Sequence, residues 1–171
     1  MIHYATVKKI NKYDMPNHPP ITAEQALSRA AAYCSKAERC AHDVREKLLA
    51  WGLDNREDAE HIVDWLKEEG FIDEVRFARA YIHDKLTYDR WGRLKIVRGL
   101  AAKRLSPTLV YGVLDEVFDA GAYRATLAQL LAAKARSWER PLSPDHRMRL
   151  FRFAMQRGFE PDIVREETDR L

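Results

Sequence analysis

Cysteine is almost missing from this chain: 171 residues hold only Cys34 and Cys40. Two thiols make no disulfide framework, and their six-residue spacing matches no zinc or redox motif. They are expected to be thiols of a reducing cytoplasm. Glycine and proline are scarce at seven each, which favours long regular elements over turn-rich ones. No apolar run is long enough to span a bilayer. The opening MIHYATVKKINKY has no apolar h-region or small-residue cleavage site, so it is not expected to be a secretory signal. Catalytic patterns are missing too. The chain carries no GxxxxGK[ST], GxGxxG, HExxH or GxSxG. Its six histidines are scattered. His42 and His61 fall on helix positions expected to be exposed among acidic residues. Pairs such as Glu68-Glu69 and Glu166-Glu167 read as solvated helix faces. The expectation is a protein without catalytic residues, metal ligands or cofactors, which works by binding.

What remains is a composition for helices. Hydrophobic residues make up 46% and charged residues 32%, and Ala, Leu, Arg, Glu and Lys are good helix formers. Caps and stops divide the chain. Thr22 with Gln25 forms a capping-box signature, and Ser35 with Glu38 repeats it. The second helix would run through Val44, Leu48 and Trp51 to a stop at Gly52. Asp54 or Asn55 opens a third helix that ends at Gly70, and Asp73 caps a fourth. A fifth spans about Gly92 to Arg104. Ser106-Pro107 opens a sixth ending near Gly121. A seventh runs from Tyr123 to about Trp138, and Ser143-Pro144 and Glu160-Pro161 open two more. Trp51, Trp65 and Trp138 sit at apolar helical spacing and are expected in the core.

Nine helices invite a search for repeats. VREKLLAWGL (44–53), IVRGLAAKRL (96–105) and LFRFAMQRGF (150–159) superimpose at offsets of 52 and 54 residues. Each is followed by a helix start and an apolar pair: Ile62-Val63, Leu109-Val110, Ile163-Val164. The expected fold is all-α, with three tandem three-helix repeats over 22–70, 71–120 and 121–171, stacked into an elongated, curved body. Residues 1–21, with Ile2, Tyr4, Thr6 and Val7 before MPNHPP, form a short N-terminal extended arm.

Charge comes in blocks. Residues 43–74 hold 4 basic and 11 acidic side chains, residues 76–104 hold 9 and 2, and residues 134–157 hold 7 and 2. Helical periodicity places Arg76, Arg79, His83 and Arg90 beside the apolar sector of the fourth helix. Lys85 falls inside that sector, explained only by snorkelling. On the fifth helix Lys95, Arg98 and Lys103 oppose Ile96, Val97 and Leu100. The candidate partner- and nucleic-acid-binding residues are Arg76, Arg79, Lys85, Arg90, Arg93, Lys95, Arg98, Lys103, Arg104, Arg149 and Arg152. They suit phosphates, bound without sequence preference, or an acidic protein surface. Tyr88 and Trp91 stand among them, placed to stack on bases. The plainer alternative is a solvated face with internal ion pairs. Local pairing within the block is limited to Asp84 and Asp89, which favours the binding reading.

The run Gly70-Phe71-Ile72-Asp73, then Arg76-Phe77-Ala78 and Tyr81, resembles the signature of the RecX family. Gly92, Ile96, Leu100, Lys103 and Leu105 are similar to that family's following helix, and Arg39, Val44, Leu48 and Gly52 fit upstream. The likeness is close over about 24–118 and looser over 123–170. Arg104 departs from it, standing where members commonly have Gly. So does the last helix, which is sparse in apolar residues. The resemblance implies a protein that binds RecA filaments, lies along their groove near the DNA, and dampens recombinase and co-protease activity. Its expected partners are thus a RecA filament and, weakly, single- or double-stranded DNA. It is expected to be a monomer with no membrane contact. A stand-alone nucleic-acid-binding protein and a helical-repeat scaffold for another protein are the rival readings.

Overall fold

The computed structural model describes residues 21–171, so the expected N-terminal arm lies outside the described residues apart from Ile21. Among them there are nine helices and no strand. They form two compact units, one of residues 21–37 and 41–72, the other of 38–40 and 73–171.

The first unit holds α1 (Ala23–Cys34), α2 (Ala41–Ala50) and α3 (Arg56–Glu68). Thr22 caps α1 in a complete capping box with Gln25, and the Asn55 side chain accepts from Glu57 N at 2.9 Å to start α3. Its core gathers Ala26, Ala30, Val44, Leu48, Trp51, Val63, Leu66 and Ile72. Three expectations fail here. Ser35 does not open α2. It closes α1, with its hydroxyl donating to the Ala31 carbonyl at 2.8 Å, the back-bonding that short hydroxyl side chains offer a helix end. Trp65 is 39% exposed. It sits near the C-terminal end of α3, stacked on Phe71 at 5.9 Å rather than enclosed. His42 is half-buried rather than exposed, and its Nδ1 has no hydrogen-bond partner.

The second unit holds α4 (Glu74–Thr87), α5 (Arg93–Ala102), α6 (Pro107–Val117), α7 (Ala120–Lys134), α8 (Pro144–Arg157) and α9 (Pro161–Asp169). Asp73, Ser106 and Ser143 cap their helices through the side chain. Gly121 is not a stop for α6. That helix ends at Val117, and Asp119 caps α7 by accepting from Ala122 N at 2.9 Å, so Gly121 lies in the first turn of α7. In the same way α7 ends at Lys134, before Trp138. Trp138 is half-buried, stacked on His146 at 4.4 Å. One apolar cluster joins α4, α5 and α6 around Ile82, Ile96, Leu100 and Leu114, with buried Cys40 included. A second joins α7, α8 and α9 around Leu127, Leu131, Leu150 and Phe159. Both cysteines are buried thiols.

The three matched stops end in the same hydrogen bonds. Leu53 N donates to Leu48 O, Leu105 N to Leu100 O and Phe159 N to Ala154 O. This six-residue closure needs a left-handed residue just before the donor. Gly52 (φ 93°) and Gly158 (φ 87°) supply it, and Arg104 adopts φ 62° in the middle copy. An arginine thus takes a conformation that glycine adopts without steric cost.

The seam inside the second unit is made by backbone. The N-terminal amides of α5 have no intrahelical partner. Gly92 N donates to Arg157 O at 2.8 Å and Leu94 N to Gly158 O at 3.0 Å, and Arg93 N donates to the Tyr123 hydroxyl at 3.0 Å. The turn after α8 therefore caps α5. A Cβ on Gly92 would fall deep inside contact distance of Gly158 and Phe159 backbone atoms.

Candidate partner and nucleic-acid interface

The register of α4 builds one wall of a cleft. Asp73 accepts from Val75 N at 2.8 Å and Arg76 N at 2.9 Å. That start buries Phe77, Ala78 and Ile82 and turns Arg76, Arg79, His83 and Thr87 to a cleft of about 930 Å3. Arg90 closes the same wall from the loop after α4. The opposite wall is Phe118 and Asp119, then Ala122, Tyr123, Thr126 and Gln129 of α7. Between them lie Leu86, Trp91 and Val117. The cleft therefore carries its three arginines on one side, with Glu38 and Asp84 among its lining, and opposite them a mostly neutral or apolar wall that includes the Asp119 carboxylate. Concave sites with an apolar lining and a few convergent charges are where binding concentrates.

The cations differ in what already holds them. Arg76 Nε lies 2.9 Å from Glu38, and Arg79 lies 2.6 Å from Glu116. Lys85 reaches Asp89 at 2.5 Å, and that carboxylate holds its pKa above the ordinary lysine value. Its position in the apolar sector also has a cause, because its ammonium lies over Tyr81 at 5.4 Å and Trp91 at 4.7 Å. Arg90 is not on the helix face that periodicity gave it. Since α4 stops at Thr87, Arg90 sits in the loop at φ 52°, exposed. Lys95 lies 4.2 Å over Trp91. Trp91 is therefore covered by two lysines and is not open for a base, whereas Tyr88 is 73% exposed.

Arg93 is committed to the fold. It pairs with Glu160 at 2.5 Å, and the same carboxylate accepts from the Tyr123 hydroxyl at 2.6 Å. Tyr123 is buried; desolvation, then the hydrogen bond to Glu160, push its phenol far above its ordinary value near 10. Arg98 Nε donates to Leu94 O at 3.2 Å. Lys103 is half-buried at the end of α5, and Arg104 is exposed. On α8, Arg149 pairs with Asp145 at 2.7 Å, and Arg152 is exposed. The structure brings Arg76, Arg79 and Arg90 to the cleft and Lys85, Arg90 and Lys95 to the loop beside it. Arg93, Arg98, Lys103, Arg104, Arg149 and Arg152 do not line the cleft.

Among the described residues no group of three or more His, Cys, Asp or Glu is placed to hold a metal, and no helix is long and apolar enough to cross a membrane.

Residues 73–114 match the second three-helix domain of RecX, and residues 122–166 match the third. The regulatory protein RecX of Ralstonia pickettii is 25% identical over 143 residues, covering 80% of this chain and 82% of its own. That of Herbaspirillum seropedicae is 26% identical over 148 residues, covering 86% and 90%. The crystal structure of RecX from Lactobacillus salivarius superimposes with a TM-score of 0.75 at 17% identity, over 87% of this chain and 96% of that one.

Proposed function

From the membership of this chain in the RecX family, we propose that it binds RecA nucleoprotein filaments and mainly inhibits their recombinase, ATPase and co-protease activities. It does so as a cytoplasmic monomer that performs no chemistry of its own. The observation that carries this reading is the cleft of about 930 Å3 with Arg76, Arg79, His83 and Arg90 along one wall. Three arginines facing a wall that is mostly apolar apart from Asp119 suit an acidic protein surface with an apolar anchor. Three modules in one chain, over 22–70, 71–120 and 121–171, give it several contacts on one filament, and linked contacts multiply. A protein bridging successive protomers favours one arrangement of them, and so opposes the motions that ATP turnover requires.

RecA-catalysed ATP hydrolysis on single-stranded DNA tests this, at protein concentrations that do not coat free DNA. Hydrolysis is expected to fall as the chain is added; an unchanged rate refutes the filament reading. Reversing the cleft wall with Arg76→Glu and Arg79→Glu should raise the half-inhibitory concentration about tenfold or more, the equivalent of ~1.4 kcal/mol. The thermal melt should change little, since both side chains are exposed. A folded double variant that inhibits like the parent removes the α4 wall from the contact surface.

A further inference from the structure

The chain leaves the first unit after residue 37, spends residues 38–40 in the second, and rejoins the first at Ala41. These three residues belong to no helix, since α1 ends at Cys34 and α2 begins at Ala41. Two of them are built into the second unit. Cys40 is fully buried in the apolar cluster of Phe77, Ala78 and Ile82. Glu38 lines the cleft, and its Oε1 accepts from Arg76 Nε at 2.9 Å. Arg76 also lies 3.7 Å from Asp73, so it keeps a carboxylate if Glu38 leaves.

The Glu38 contact is only half made. Its Oε2 is shut away from water and has no hydrogen-bond partner among the described residues. A carboxylate oxygen in that position loses its hydration and gains nothing in return. The ion pair itself is partly open, with side chains 34% and 45% accessible for Glu38 and Arg76, and such pairs hold weakly. Turning Glu38 outward therefore gives up one partly exposed ion pair and returns an orphaned oxygen to water. Cys40 lies two residues on, at most about 7 Å along an extended chain, so displacing Glu38 pulls on the seat of Cys40. The neighbouring pair is different. Glu116, the partner of Arg79, stands on α6, so exchange there moves a side chain and no backbone segment.

We propose that residues 38–40 form an autoinhibitory strap on the cleft. At rest Glu38 occupies Arg76, a cation that an acidic partner needs, and Cys40 anchors the strap in the core of the second unit. A partner carboxylate that takes Arg76 displaces Glu38 and loosens Cys40 with it. The strap regulates the same cleft that the filament reading assigns to the partner, and depends on that reading for its function.

The first test needs no RecA. Labelling of Cys40 by N-ethylmaleimide in the full chain, read peptide by peptide by mass spectrometry, follows the fraction of open strap. Cys34, buried in the first unit, is the internal reference. Glu38→Gln and Glu38→Ala should each speed Cys40 labelling about three- to fivefold, the range that such an ion pair supplies, and leave Cys34 unchanged. Arg76→Gln should match them, and combining it with Glu38→Gln should add nothing. Glu116→Gln, which cuts the neighbouring pair but not the strap, should leave Cys40 at the parent rate. The unaltered protein gives a readout free of folding defects: sodium chloride at about 1 M screens the pair and should speed Cys40 relative to Cys34. Parent labelling of Cys40 in the Glu38 variants, no response to salt, or equal acceleration of both cysteines overturns the strap. The second test is RecA-catalysed ATP hydrolysis, where Glu38→Gln should lower the half-inhibitory concentration by about the same factor. Unchanged or weaker inhibition by that variant overturns the autoinhibitory role. A parent protein that does not inhibit at all refutes the filament reading, while Cys40 labelling still decides whether the strap opens.

Discussion

Replacing Gly92 with alanine adds one methyl group where backbone meets backbone. The conformation at Gly92, φ −77°, is open to any residue, so the cost is one of space. The new Cβ would meet the Gly158 carbonyl and Phe159 N, and neither can swing aside as a flexible side chain can. The loop before α5 and the turn after α8 must separate. That separation lengthens the bonds from Gly92 N to Arg157 O and from Leu94 N to Gly158 O, now 2.8 and 3.0 Å. Two lost hydrogen bonds cost about 1 kcal/mol each, and forced overpacking adds ~1–3 kcal/mol. A total of about 3–5 kcal/mol, with a urea m-value of about 2 kcal/mol/M, lowers the unfolding midpoint by roughly 1.5–2.5 M. Gly112→Ala is the matched control. Gly112 lies within α6, and a Cβ there meets nothing within 4 Å. The same chemical change should stabilise by about 0.5–1 kcal/mol through helix propensity. Urea unfolding of the two variants, followed by circular dichroism and by hydrogen exchange at residues 92 and 94, checks both signs. A Gly92→Ala protein with the parent's midpoint and protected amides at 92 and 94 would refute the claim that the seam is closed by backbone contact.

Tyr123→Phe leaves Glu160 and the Arg93 amide short of a partner, which should cost ~1–3 kcal/mol by urea unfolding. The parent also has a pH signature: the buried phenol's pKa is raised in the folded state, so its contribution is intact below the ordinary tyrosine value near 10 and fades as pH rises above it. Midpoints from pH 8 to 11 should show that loss in the parent and less of it in Tyr123→Phe. Arg104→Gly relieves a left-handed arginine and should raise stability by about 0.5–1 kcal/mol, near 2–4 °C per kcal/mol in melting temperature. A lower melting temperature would mean that the Arg104 side chain contributes more than its backbone costs.

The helix plan was legible because its signals are local. Thr22, Asn55, Asp73, Ser106 and Ser143 each bond an amide two or three residues away, a distance that sequence displays directly. The repeat was legible for a related reason, since the stops at Gly52, Arg104 and Gly158 close with one hydrogen-bond pattern. The site was much less legible. Glu38 lies 38 residues before Arg76, Glu116 lies 37 after Arg79 and Glu160 lies 67 after Arg93. Charge blocks are counted along the chain, whereas these pairs form across it. Counting only Asp84 and Asp89 as available carboxylates therefore overstated how many cations await a partner. Ser35 misled because a hydroxyl suits either end of a helix. Trp65 misled because a helical apolar stripe does not reveal where its last turn leaves the core.

Pairing does not remove a cation from function, and the distinction is one of burial. Arg93 shares Glu160 with a buried tyrosine, so releasing it strands polar groups inside the seam. The pair of Arg79 and Glu116 is exposed, with side chains 49% and 58% accessible, and such pairs contribute about 0–1 kcal/mol. A partner can take Arg79 from Glu116 at little cost. Glu116 then acts as a competitor that the partner must displace. Removing the competitor should help the partner: Glu116→Gln is expected to lower the half-inhibitory concentration for RecA ATP hydrolysis by up to about fivefold, the equivalent of ~1 kcal/mol. In an Arg79→Gln background the same change should do nothing, which makes the pair a double-mutant cycle. Weaker inhibition by Glu116→Gln alone would show that Glu116 positions Arg79 for the partner instead of competing for it. An equal gain with and without Arg79 would show that the carboxylate repels the partner directly.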